Sequence, residues 1–212
     1  QNLRPGIVEE LGIGAGDMLA VNPRLIYCNI GAFGNRGPHR FKPGYDPLLQ
    51  AFGAVMTLTG RPEDPPTFQA PAINDKGTGM WAATGVLAAL QGRQHTGKGS
   101  VVDTSLFETA LGWVENNISG YSVTQTLPTR HGSASGTLTP YGAFETADRP
   151  IVIAAGNDRL FQRLAAELGH PEWANDPRYA KGPTRITHRA EIEAKIQAIL
   201  KTAGRDEWLR RI

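Results

Sequence analysis

Ala72-Ile73-Asn74-Asp75-Lys76-Gly77-Thr78-Gly79-Met80-Trp81 is the stretch whose reading decides how this chain is organised. It sets a carboxylate at the entrance to Met80-Trp81-Ala82-Ala83-Thr84-Gly85-Val86-Leu87-Ala88-Ala89-Leu90, a run with no charge on any face. Such a run predicts a helix buried on all sides. Gly77 and Gly79 fall in its first turn, where glycine weakens a helix but lets another backbone or a ligand come close. Asp75 then has two compatible readings. It is an N-cap, with Gly77-Thr78 behind it. It is also a carboxylate kept ionised near neutral pH by helix N-terminal N–H groups, as a nucleophilic or ligand-orienting Asp would be presented.

Outward from this helix the signals alternate. Residues 7–11 and 17–21 read as short helices, broken by Gly12-Ile13-Gly14 and ended by Asn22-Pro23. Residues 25–30 read as a buried strand, and 31–44 as a Gly/Pro/basic loop. One helix is predicted over 46–58, with Leu48, Leu49, Phe52, Val55 and Met56 inward. After the helix that follows Asp75 come a turn at 95–99, a strand over 100–104 and one helix over 106–118. This is an α/β alternation with open-sheet character. The stretch 122–140, rich in Thr, Ser and Gly, reads as a linker. Beyond it, strands over 141–146 and 151–155, a capped helix over 157–168 and helices over 189–201 and from 205 onward make a small α+β unit.

Composition excludes several classes. The formal net charge of +2 comes with no polybasic run or acidic tail, so neither nucleic acid nor a membrane surface is indicated as a partner. No apolar stretch approaches the length of a membrane span. Cys28 is the single cysteine, which excludes an internal disulfide, fits a reducing cytoplasm and suits a small core residue. The histidines are scattered and no Cys/His group has metal-ligand spacing, so no metal is expected. Gly97-Lys98-Gly99-Ser100 follows a helix and precedes a strand, the reverse of a P-loop, and reads as a tight turn. The opening Gln1-Asn2-Leu3-Arg4-Pro5-Gly6 has no signal-peptide pattern and no initiating Met, so the chain is expected to start inside a longer one.

Gly44-Tyr45-Asp46 is the second candidate site. Asp46 caps the helix that follows, with Pro47 as its first residue. Tyr45 would stand at the exposed helix end, able to stack on or hydrogen-bond a ligand. Arg36, Arg40 and Lys42 precede it in the loop, either to meet phosphates or as a solvated rim.

Taken in order, several segments resemble one family. They are Asn2-Leu3-Arg4-Pro5-Gly6, Asn22-Pro23-Arg24-Leu25-Ile26-Tyr27-Cys28-Asn29-Ile30, Phe33-Gly34 with Gly37-Pro38, Pro43-Gly44-Tyr45-Asp46 and Asp75-Lys76-Gly77-Thr78-Gly79-Met80. Leu87-Ala88-Ala89-Leu90 with Thr96-Gly97-Lys98-Gly99, Val102-Asp103-Thr104-Ser105-Leu106 and Asn157-Asp158-Arg159 complete the set. The chain resembles the class III coenzyme A-transferases, the group of formyl-CoA transferase, carnitine CoA-transferase and α-methylacyl-CoA racemase, along essentially its whole length.

The resemblance implies an α/β fold: part of an open Rossmann-like large domain over 1–121, a linker over 122–139 and a small α+β domain over 140–212 that continues beyond the chain. The family's opening strand-helix units would lie before Gln1 and its closing segment beyond Ile212, so the chain is expected to be an internal fragment of about half a member. The resemblance makes Asp75 the covalent nucleophile. It attacks an acyl-CoA thioester to give a mixed anhydride, then becomes an aspartyl-CoA thioester that passes CoA to an acceptor acid. Backbone N–H groups near Gly77, Gly132 and Gly136 are candidate oxyanion donors. Asn2, Leu3 and Arg4 match one segment lining the CoA site, and Lys42, Gly44, Tyr45 and Asp46 match another. Coenzyme A enters as substrate, with no permanently bound cofactor, and small carboxylic acids are the other substrates. An interlocked homodimer is expected on family analogy. Residues 132–139 lack the dense glycine run of formyl-CoA transferase, which argues against an oxalate or formyl assignment. The racemase branch carries His where Tyr45 stands, and tyrosine is too weak a base near pH 7 to replace it readily, so Tyr45 favours transfer. Racemase-type isomerisation and a non-catalytic CoA-binding fragment remain the alternatives.

Overall fold

Two parallel strands carry the first half of the molecule. The computed structural model describes all 212 residues, in two compact units, Gln1–Thr129 and Arg130–Ile212.

In the first unit α1 (Ile7–Glu10) and α2 (Ala15–Val21) precede β1 (Ile26–Gly31). The chain then runs through α3 (Asp46–Phe52), α4 (Val55–Leu58) and α5 (Ile73–Thr96) into β2 (Ser100–Ser105). It continues in α6 (Leu106–Trp113) and α7 (Glu115–Thr124). β2 returns parallel to β1 in a register running from Ile26↔Ser100 to Gly31↔Ser105. A parallel return needs such a crossover, and the long α5 supplies it. The turn read at 95–99 does its work with glycine: Gly97 ends α5 with φ +71° and bonds back to Arg93 O at 2.9 Å. A side chain at Gly99 would collide with the Leu25 carbonyl, which bonds to Ser100 N at 3.1 Å. α5 also lies close on β2, with Gly85 against Val102.

The second unit pairs β3 (Tyr141–Phe144) antiparallel with β4 (Ile151–Ala154). Over this hairpin come α8 (Asp158–Glu167), a 3₁₀ turn (Pro171–Ala174), α9 (Gly182–Thr187), α10 (Arg189–Leu200) and α11 (Arg205–Arg211). α8 starts as its sequence reads, with Asn157 accepting from Leu160 N at 2.9 Å. Its buried Phe161, Leu164 and Leu168 join Ile153, Trp173, Tyr179, Ile192, Ile196, Leu200 and Trp208 in one continuous core. Mixed α/β is thus the class observed.

Several expectations change. The uncharged helix is not buried on all sides: Met80, Trp81 and Leu87 are 68%, 55% and 67% exposed. Only the face carrying Asn74, Thr78 and Ala82 is fully packed, because the neighbours of α5 in this unit reach one side of it. For the same reason β1 is half-buried along its length, and Cys28 is not a core residue. The helix over 46–58 breaks at Gly53 and Ala54, the latter with φ +65°, leaving Leu49 and Val55 inward but Leu48 and Phe52 exposed. The helix over 106–118 breaks at Val114 into α6 and α7. Within the stretch read as linker, Ser122 to Thr124 are helical, and Ser133 and Ser135 exchange backbone bonds with Ala143 and Tyr141 at 3.0 and 2.8 Å. The 3₁₀ turn and α9 went unread, having no long apolar period.

α9 supplies the polar centre of the second unit. The guanidinium of fully buried Arg185 donates to Thr139 O (2.9 Å), Tyr179 O (2.6 Å), Gly156 O (3.0 Å) and Asp158 Oδ1 (3.1 Å), and lies 4.4 Å from the centroid of the Phe161 ring. Arg185→Ala strands three carbonyls and opens a cavity, and is expected to destabilise the protein by about 3–5 kcal/mol. Urea denaturation followed by tryptophan fluorescence checks this; a loss below about 1 kcal/mol contradicts it.

Candidate active site

Asp46 fixes the entrance of α5. Tyr45 is the N-cap of α3 and Asp46 its first residue, with Pro47 next. Contrary to the sequence reading, the Asp46 side chain does not cap its own helix. Its Oδ2 accepts from the backbone N–H of Asn74 at 2.7 Å and of Asp75 at 3.2 Å, two of the donors that every helix leaves unpaired at its start. Its Oδ1 accepts from Gln50 Nε2. Gln50 in turn bonds both backbone groups of Gln69, at 3.0 and 2.7 Å, tying in the loop before α5. Gly44 permits this approach, since a side chain there would overlap Leu49 and touch Ala32. The carboxylate is buried and its bonds are charge-assisted, which makes it a firm anchor.

Asp75 is consequently not a cap. Ala72 is the N-cap of α5, without a side-chain cap bond, and Asp75 is the third helical residue with its side chain exposed. The helix dipole favours an anion there. Partial burial and, after it, the neighbouring Asp46 charge nevertheless raise the Asp75 carboxyl above its ordinary value of 3.8. The sequence reading held only the stabilising half of this balance.

The glycines behave unequally. Gly77 is packed against Trp113 and Thr109, while Gly79 faces open space. Gly77 is the fifth helical residue, so its N–H belongs to the helix ladder and is not free to serve an oxyanion. Gly132 and Gly136 belong to the second unit. Asn74 escaped the sequence reading: both polar atoms of its buried side chain lack a partner, directly beside Asp75. Behind it Thr78 bonds Asn74 O at 2.6 Å and Thr109 Oγ1 at 2.8 Å.

A cleft of about 360 Å³ opens beside β1, lined among others by Leu3, Asn29, Asn35, Arg40, Phe41 and Asp103. Of the three opening residues matched to the CoA site, Leu3 lines it, together with Gln1, Pro5 and Gly6; Asn2 and Arg4 are exposed neighbours. Lys42 is exposed, its N–H donating to His39 O at 2.8 Å, and the loop reaches the cleft through Arg40 and Phe41 instead. Tyr45 is 80% exposed. Neither Asp46 nor Asp75 lines this cleft. The structure thus joins Asp46 to Asp75 directly and sets Leu3 at the cleft. No side-chain hydrogen bond joins Asn2, Arg4, Lys42 or Tyr45 to that pair. Asn29 and Asn35 also went unread as cleft residues, and Asp103 appeared only within a strand motif. No group of three or more His, Cys, Asp or Glu side chains is placed to hold a metal ion. No helix is long and apolar enough to cross a membrane.

An exposed carboxylate of raised basicity, on a helix anchored by a second carboxylate, suits nucleophilic attack on an acyl group. Comparison with known proteins places the chain among CoA-transferases. The family described as CoA-transferase family III matches residues 1–212. Acetyl-CoA:oxalate CoA-transferase of Acetobacter aceti is 34% identical over 210 residues, 99% of this chain and 54% of that protein. Succinyl-CoA–D-citramalate CoA-transferase of Chloroflexus aurantiacus is 39% identical over 199 residues, 93% of this chain and 50% of that protein. The crystal structure of a CAIB/BAIF family protein from Brucella suis superposes with a TM-score of 0.80 at 34% identity, covering 99% of this chain and 55% of that one. The chain spans about half the length of these relatives.

The carboxylate pair generates a titration prediction. Because the raised carboxyl of Asp75 disfavours its ionised form, its contribution to stability falls as pH rises from the ordinary 3.8 through the raised folded value, and stays lower above it. Asp46→Asn removes the facing charge and keeps an acceptor. The Asp75 midpoint, read by carboxyl ¹³C NMR, is expected to fall part of the way back; an unchanged or higher midpoint contradicts the coupling.

Proposed function

The chain belongs to family III of the CoA-transferases, and from that premise we propose that the protein moves coenzyme A between an acyl-CoA and a small carboxylic acid, with Asp75 as nucleophile. The observation that carries this is the exposed Asp75 carboxylate in the first turn of an α5 held by Asp46. In the proposed cycle an ionised Asp75 oxygen attacks the thioester carbonyl. The C–S bond breaks, CoA leaves as thiolate, and an aspartyl–acyl anhydride remains. The thiolate returns to the aspartyl carbonyl, releasing the donor acid as carboxylate and leaving an aspartyl-CoA thioester. The acceptor carboxylate attacks that thioester, and the thiolate then takes the acceptor's acyl group, restoring Asp75. Each step exchanges bonds of comparable energy, which is the gain of covalent catalysis.

Asp46 supports this chemistry without touching the substrate. It holds the first turn of α5, and after partial burial its charge adds to the basicity of the Asp75 oxygens. The cleft beside Leu3, Arg40 and Phe41 receives part of the CoA, with Asn2, Arg4 and Lys42 on its approach and Gly44 and Tyr45 on the acyl side, backed by buried Asp46. The relatives named above act on oxalate and D-citramalate. Both are dicarboxylates, so a small dicarboxylic acid is the proposed acceptor class; the likeness to an oxalate enzyme weighs against the expectation, drawn from the missing glycine run, that oxalate is disfavoured. The first unit is read as part of a Rossmann-like CoA domain over 1–121, followed by a linker over 122–139 and a small domain from 140. The protein is read as a cytoplasmic, interlocked homodimer.

Asp75→Ala in the intact protein is expected to abolish CoA exchange, followed by mass, while folding persists, since the first-turn anchor is Asp46. Retention of more than about one tenth of wild-type kcat would contradict the nucleophile. Wild-type CoA binding with no exchange across acyl donors and acids would instead identify a binding fragment.

Tyr45 separates transfer from isomerisation. As a wall or hydrogen-bond donor, Tyr45→Phe costs about 2- to 13-fold in kcat/KM. Loss of an essential base would cost about 10²–10⁴-fold. Deuterium washout at the α-carbon of a 2-methylacyl-CoA that disappears in Tyr45→Phe would restore the racemase reading.

A further inference from the structure

The cleft beside β1 is held by a relay of side chains that the proposed transfer does not use. Asn29 and Asp103 stand opposite each other in the parallel pair. Asn29 Nδ2 donates to Asp103 Oδ1 at 2.8 Å, and Asn35 Nδ2 donates to Asp103 Oδ2 at 2.7 Å. On the far side Asn29 Oδ1 accepts from Gln1 Nε2 at 2.7 Å, and Gln1 Oε1 accepts from the Leu3 N–H at 2.7 Å. All five residues line the cleft.

Every bond in this relay donates toward Asp103. A carboxylate only accepts, so it fixes the orientation of both asparagine amides; Asn29 must then turn its oxygen to Gln1. The relay joins the opening segment, both strands and the loop after β1, pieces of chain far apart in sequence. The Asn35 arm restrains a loop that would otherwise be loose, because Gly34 and Gly37 on either side both have φ +81°. Arg40 and Phe41 lie at the end of that loop. Each Asp103 oxygen is taken by an amide, so the carboxylate reaches a ligand only through the walls it holds.

We propose that Asp103 is a positioning residue for the acyl-CoA ligand, setting the separation between the Leu3 wall and the loop wall of the cleft. This rests on the reading of the cleft as part of the CoA site. The ligand class is an acyl-CoA or free CoA, and the effect is on binding ahead of the chemical step.

The test uses the intact protein, with free CoA as probe by calorimetry and backbone hydrogen exchange by mass spectrometry. Wild type is expected to bind CoA. Asp103→Ala is expected to bind about 10-fold more weakly, to exchange faster over residues 31–41, and to lose more in kcat/KM than in kcat. Asn35→Asp alone sets two carboxylates together, so it weakens binding. Asp103→Asn added to it rebuilds one donor and one acceptor at that contact and leaves an acceptor for Asn29. The combined variant is expected to recover to within about 3-fold of wild type, and it keeps the test alive should Asp103→Ala fail to fold. Wild-type binding with unchanged affinity in the single variants, or no recovery in the combined one, overturns the proposal alone. No CoA binding by wild type overturns the reading of the cleft and the proposal with it.

Discussion

The Asp46 carboxylate in the first turn of α5 is the contact on which the candidate site depends. It satisfies two helix-start donors with a charged acceptor from another helix, so the starts of α3 and α5 are set against each other. An ordinary cap comes from the residue just before a helix and can follow that helix wherever it goes. Here the acceptor comes from 28 residues earlier in the chain, and Gln50 extends the tie to Gln69. Freed from capping, Asp75 is left exposed at the third helical position. One carboxylate is thereby spent on anchoring the helix and the other is left free of it.

The two units rest on different physics. The second closes a continuous apolar core around α8 and α10, with one buried guanidinium stitching four oxygens at its centre. The first has only a small buried cluster of Val55, Ala110 and Val114, and relies on polar ties at its site: Asp46 with Gln50, Thr78 with Thr109, and Asp103 with its two asparagines. Packing of that kind places side chains closely but leaves apolar surface on α5 uncovered.

What was legible in the sequence follows from range. Local signals were readable: the Asn157 cap, the αL glycine after Thr96, the inward faces of α8 and α10, and the parallel-type alternation around 25–104. Asp75 was placed at the right helix entrance, but its capping role was assigned on adjacency. The acceptor that won comes from elsewhere, which no local pattern can announce. The burial of α5 was overread because absence of charge shows only that a helix can be buried, not that neighbours cover it. Arg185 and Asp103 look like surface charges in sequence; each is defined by partners far along the chain. Ser105 did carry a local cap signature, seen in the structure as the Glu108 N–H donating to Ser105 Oγ at 3.2 Å, while the Ser105 hydroxyl donates to Glu108 Oε2 at 2.7 Å.

The register of the parallel pair also bears on how the chain acquires its shape. Asn29 and Asp103 meet across 74 positions of sequence, and every rung between β1 and β2 closes a loop of similar length. Closing such a loop is entropically costly before any contact offsets it, and helix formation in α3 to α5 shortens the span to be closed. The β3–β4 hairpin closes only a short turn and stands at the head of a unit of mostly local helices. Emerging from synthesis, the two halves therefore face unequal searches. The half that bears Asp75 depends on the longer-range pairing, the kind that is intrinsically slow to form.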